Sequence, residues 1–150
     1  MLLGANREIK SRINEILGTQ TIAVLGTAKN DEPYSCLVAF AVTEDLKEFV
    51  FATMRKRLKY QNMMANPRVT LTVDDRDKRA SDLNETTSVT VVGSAGDVIN
   101  RERQKYADLL LSRHPSLMDF VSSPDCAVIR VRVDKIYIVS EFESVIKIGK

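Results

Sequence analysis

Histidine and cysteine are scarce in this chain of 150 residues, which has one of the first and two of the second. That scarcity excludes much side-chain chemistry. Cys36 and Cys126 have no CxxC spacing and no neighbouring histidine, so buried free thiols are expected rather than a metal site or a disulfide. The sole histidine, His114, stands between Arg113 and Pro115 at an expected helix end, where it complements the carboxyl-terminal dipole rather than serving catalysis. No HExxH, GxSxG, P-loop or dinucleotide GxGxxG occurs. No stretch approaches the ~18 apolar residues of a membrane span, and no charged segment precedes an apolar run at the start, so a soluble, cytoplasmic protein is expected. Net charge is also nearly absent, with 22 Lys and Arg against 20 Asp and Glu. A dedicated nucleic-acid binder is therefore not expected.

What remains is the makings of one globular domain, 44% hydrophobic and 28% charged, with no linker composition inside it. Residues 6–17 space Ile9, Ile13, Ile16 and Leu17 as the apolar stripe of an opening helix. Strands are expected at 21–27, 34–42 and 48–53, joined as a meander by polar turns. A helix over 57–65 stops at Asn66-Pro67, since the residue before proline is pushed out of the α region. Val69, Leu71 and Val73 then alternate with polar residues as a half-buried strand. Residues 74–85 are charged and aperiodic, and are expected to form a loop able to act as a lid, with Asp74-Asp75 on a solvated face. Glu141 and Glu143 are read the same way. A glycine-bearing strand at 88–99, a helix at 101–113 closed by Pro115, and a strong strand at 126–140 complete the order. About six strands with three short helices, and no strand-helix alternation, predict a mainly β antiparallel barrel.

The most informative stretch is Thr53-Met54-Arg55-Lys56-Arg57-Leu58-Lys59, which holds four cations in five positions where a strand ends and a helix begins. Such a junction suits a phosphate, because the helix start adds partial positive charge. Arg55 offers a planar fork, and Lys59, four residues on, can share its side of a helical turn. Lys56 is placed with them. Thr53 offers a hydroxyl at the strand end. The plainer reading of such a run is a solvated surface. With no catalytic triad or metal cluster, any reaction is expected to belong to a bound cofactor.

Taken in order, the opening helix, the turn ending Glu32-Pro33-Tyr34-Ser35, the strand into Thr53, then Arg55, Lys59, Asn62, Asn66-Pro67-Arg68-Val69 and Val91-Val92-Gly93-Ser94-Ala95 resemble the pyridoxamine 5'-phosphate oxidase-like family of FMN-binding split barrels. The resemblance covers roughly residues 7–142 and implies a six-stranded antiparallel split β-barrel, a homodimer with FMN at the subunit interface. It implies that Arg55 and Lys59 hold the phosphate, that Ser35, Cys36 and Leu37 lie along the flavin and ribityl chain, that Thr53 lies near the phosphate or ribityl chain, and that Ser88 lies where a partner subunit reaches the ring. The Ser-Arg-Lys element of the true oxidases reads Arg57-Leu58-Lys59 here, and the substrate-binding end of those enzymes is not evident in residues 141–150, which points away from vitamin B6 oxidation. The implied activity is an FMN-dependent oxidoreductase passing hydride to or from a small molecule. Deazaflavin F420 or haem, and binding or storage without turnover, are the alternatives within that resemblance.

Overall fold

The computed structural model describes residues 7–76, 85–140 and 144–149. Eight strands form one antiparallel sheet: β1 (Ile22–Lys29), β2 (Glu32–Ala39), β3 (Ala41–Val42), β4 (Glu48–Met54), β5 (Arg68–Asp74), β6 (Ser88–Asp97), β7 (Cys126–Ser140) and β8 (Ser144–Gly149). Their order is β2-β1-β5-β6-β7-β4-β3, with β8 added on β7. Because β2 runs into β3 through Phe40 alone, the two ends of that list are one bent strand, and the sheet curls into a mainly β split barrel. The six expected strands are recovered once β2 and β3 are counted together and β8 is set aside. The expected meander of the first three strands holds in the same sense, because β1 pairs with β2 and β4 pairs with β3, the other half of the bent strand, whereas β5 returns to pair with β1 and not with β4.

Alternation decides which way each strand faces. In β1 and β5 every second residue is buried, so Ala23, Leu25, Val69, Leu71 and Val73 fill the interior. Phe40 and Phe49 stack in that interior, ring centroids 5.7 Å apart. The start of β7 departs from alternation: Cys126, Ala127, Val128 and Ile129 are all buried. Its outer face is covered by α3 (Arg101–Arg113) and α4 (Met118–Ser122), linked by a 3-10 turn (Pro115–Leu117), and a strand covered on both faces reads as a continuous apolar run. Ala41, Val50, Val98, Tyr106, Leu110, Val121 and Val128 form this second core.

The helix α1 (Arg7–Thr19) caps the barrel with Ile13, Ile16 and Leu17, each worth up to about 1.5–3 kcal/mol of burial. Asp75 corrects the expectation of a solvated carboxylate pair. It is buried, taking Nη2 of Arg12 at 2.9 Å and the Thr87 N–H at 2.8 Å. The rest of the expected lid, 77–84, lies outside the described residues, as do Glu141 and Glu143. At Gly93 the β6–β7 register shifts, and a Cβ there would stand 2.2 Å from the Arg132 carbonyl oxygen. Only glycine lets the two backbones meet so closely. Among the described residues no helix is long and apolar enough to cross a membrane.

Candidate functional site

The split itself makes the site. Ala41 pairs with Val50 and Val42 with Phe49, so the same register, continued backwards, would set Ala39 opposite Ala52, Val38 opposite Thr53 and Leu37 opposite Met54. Instead the chain bends at Phe40 and β2 pairs with β1. A groove of about 250 Å³ opens between the parted strands, lined by these six residues. Arg57 and Lys59 line it as well, and Leu117 and Phe120 of the helical insertion complete the wall.

Its charge comes from the start of α2 (Leu58–Ala65). Arg57 is the N-cap residue, extended at φ −80° and ψ 153°, and its side chain makes no cap hydrogen bond. Arg57 and Lys59 therefore flank a helix start whose first N–H groups add partial positive charge. The helix is pinned from below by Asn62, which is buried and donates to Thr27 Oγ1 at 3.0 Å. Thr53 is buried in the wall, its hydroxyl donating to the Met54 carbonyl at 3.2 Å.

Arg55 lies in the turn before α2 and is engaged elsewhere. Its Nε and Nη2 reach the Asp97 carboxylate at 3.3 and 3.4 Å, and its Nη1 donates to the Cys126 and Pro124 carbonyls at 3.2 and 3.4 Å. Tyr60 donates to the same carboxylate at 2.8 Å. Burial first, and then that hydrogen bond, hold the Tyr60 phenol above its ordinary range. Lys56 is exposed and does not line the groove. The cation beside Lys59 in the groove is thus Arg57.

On β2 the side chains alternate, so Ser35 and Leu37 share one face and Cys36 takes the other. Leu37 lines the groove and is 66% exposed. Ser35 lines a separate furrow with Gly26 and Arg68. Cys36 is half-buried rather than buried; burial raises its thiol pKa, and the nearby charge of Lys59 offsets part of that rise. Ser88 is remote from the groove within one protomer. It pairs with Val139, whereas Thr53 pairs with Ala127, twelve positions along β7, or roughly 40 Å of strand. His114 caps α3, with Nε2 2.8 Å from the Phe40 carbonyl oxygen. The described residues contain no cluster of three metal-ligating side chains. A larger cavity, about 680 Å³, lies under α1. Its Arg12 is already engaged by Asp75 and Glu15, and its other cation, Arg7, shares the lining with Glu8 and Glu15, whereas Arg57 and Lys59 line the split with no carboxylate in its wall.

Leu117 and Phe120 were not legible as site residues, because a short helix far along the chain carries them. Arg57 was visible in the basic run, but only the position of the helix start separates it from Arg55 and Lys56.

Comparison with known proteins agrees with this architecture. No curated protein matches the chain. Among solved structures it is similar to a heme binding protein from Mycobacterium smegmatis, with TM-score 0.80 and 16% identity over 89% of this chain. It spans only 55% of that longer relative. It is also similar to General Stress Protein 26 from Bacillus anthracis, at TM-score 0.70 and 23% identity over 94% of this chain and 99% of the other. A FAD-binding protein from Mesorhizobium loti gives TM-score 0.67 and 18% identity over 85% and 91%. At these identities the likeness establishes the fold. The sequence model of pyridoxamine 5'-phosphate oxidase matches residues 9–140, and the chain belongs to that family.

Proposed function

We propose that this chain binds FMN as a homodimer and works as an oxidoreductase on a small molecule. The observation that carries the reading is the pair Arg57 and Lys59 at a helix start, lining an apolar groove where the barrel splits. That is the chemistry a flavin phosphate requires: cations for the ester dianion, and strand walls for the ribityl chain and ring. The wall residues fit such a group, since Leu37, Ala39, Ala52, Leu117 and Phe120 are apolar and Thr53 is the one hydroxyl among them.

One protomer supplies about 250 Å³, less than the ~300–1,000 Å³ of sites that enclose a ligand of this size. A second copy seated on the exposed Leu37 and Ile22, which flank Ala39, would complete the enclosure. Ser88 of one subunit would then be brought near the ring held by the other. Bound flavin supplies hydride transfer, while the chain's own residues bind, orient and exclude water. Haem is less well served, because the sole histidine already has its ring Nε2 on the Phe40 carbonyl.

The test is the visible absorption spectrum of purified protein before and after addition of FMN. Flavin bands, or tight uptake with one FMN per protomer, are expected, followed by turnover with a nicotinamide donor. Uptake without turnover would reduce the protein to a binding or storage role. A protein that refuses FMN would overturn the assignment and direct the search to F420 or haem.

A further inference from the structure

We propose that Arg55 is a positioning residue that locks the two walls of the groove together, and that it makes no contact with the ligand's phosphate; the inference rests on the flavin reading above. The hydrogen bonds carry it. A guanidinium has five N–H groups, and four of those on Arg55 are engaged within the chain, two on the Asp97 carboxylate and two on the Pro124 and Cys126 carbonyls. Its backbone N–H is held too, by the Asp125 carbonyl at 2.9 Å. Such a fork is fixed in one orientation.

Its partners all belong to the stems of one insertion. Asp97 ends β6 and Cys126 begins β7, so everything between them, including Leu117 and Phe120, hangs from these two points. Arg55 grips both stems from the turn that precedes Arg57 and Lys59. Tyr60 extends the clasp into α2, donating to Asp97 from a ring that lies under the Arg55 guanidinium at 5.9 Å. Arg103 adds a second hold on the same stem, with Nη2 on the Val121 and Cys126 carbonyls at 2.9 and 3.3 Å. The cationic wall and the apolar wall of the groove therefore share one fixed joint.

Asp97→Asn separates this role from direct phosphate binding by the sign of its effect. A direct ligand would be freed by the substitution, and removal of a carboxylate beside an anion site raises the local positive potential, so FMN would bind as well or better. A positioning role predicts the reverse. FMN affinity, measured by fluorescence quenching well below the melting temperature, should fall about fivefold or more, in the range of coupled network residues. Riboflavin affinity should fall less, and Arg55→Lys, which keeps the charge and loses the fork, should behave alike and add nothing to Asp97→Asn. Unchanged or tighter FMN binding in Asp97→Asn overturns the proposal, as does additivity of the two changes. Hydrogen exchange reads the joint without ligand: both variants should speed exchange together in peptides covering 54–60 and 117–126, and acceleration of one segment alone refutes the clasp. If the wild-type protein takes up no FMN, the flavin reading falls and the exchange result alone decides the clasp.

Discussion

If the groove holds FMN as proposed, replacing both of its cations, in Arg57→Ala/Lys59→Ala, should remove the feature that distinguishes FMN from riboflavin. The phosphate carries about −1.5 to −2 charges at neutral pH, and a hydrogen bond to a charged group contributes about 1.5–3 kcal/mol when sheltered. Arg57 is exposed and Lys59 half-exposed, so water screens both, and about 1 kcal/mol each is the appropriate allowance. The double variant should therefore lose about 2 kcal/mol, close to 30-fold in FMN affinity, with riboflavin binding unchanged. Salt gives an internal check. Raising ionic strength from 0.1 to 1 M shortens the screening length from ~10 to ~3 Å, so the wild-type preference for FMN should shrink while the double variant shows little further change. Fluorescence-quenching titrations with both flavins read all four quantities, and Lys56→Ala serves as a control of equal charge outside the groove. A double variant that still prefers FMN as strongly as the wild type would refute the assignment of the phosphate to these residues.

Gly93→Ala should cost about 1–3 kcal/mol, because its Cβ would meet the Arg132 carbonyl at 2.2 Å; urea unfolding measures the loss, and an unchanged midpoint would deny the close approach. Phe49→Ala, which empties a fully buried position stacked on Phe40, should cost about 3–5 kcal/mol by the same assay. Stability should also fall on the alkaline side. Burial raises the Cys126 thiol above its reference of 9.0 and the Tyr60 phenol above 10.0; since the folded state favours the neutral forms, their contribution is complete below those references and is lost as pH rises through the raised folded values. Unfolding midpoints followed from neutral pH upwards should decline from about pH 9.0, and Cys126→Ala should flatten the first part of the decline.

Much of the fold was legible in the sequence because local pattern and tertiary demand agree. The helix 101–113 and the strand 126–140 have the limits expected from periodicity, and β4, β5 and α2 differ by a residue. Where several elements compete for one segment, the agreement ends. Residues 34–42 read as one strand, since nothing in Val38-Ala39-Phe40-Ala41 signals a break; the bend arises because β1 and β4 claim opposite ends. The groove depends on that bend. β8 is short, and its apolar residues alternate only briefly. Arg55 and Lys59 were grouped by helical spacing, but α2 begins at Leu58, so Arg55 lies outside the helix and the four-residue rule does not govern it. Its carboxylate partner is 42 positions away in sequence, a distance over which local pattern carries no information.

The central claim is that the phosphate end of a flavin lies on Arg57 and Lys59, with Arg55 held back by Asp97. A crystal structure of the protein soaked with FMN tests it most directly. The account predicts a phosphate within hydrogen-bond distance of both groove cations, at a subunit interface, and an intact Arg55–Asp97 pair. A phosphate seated on Arg55 with Asp97 displaced, or a flavin bound under α1, would contradict it.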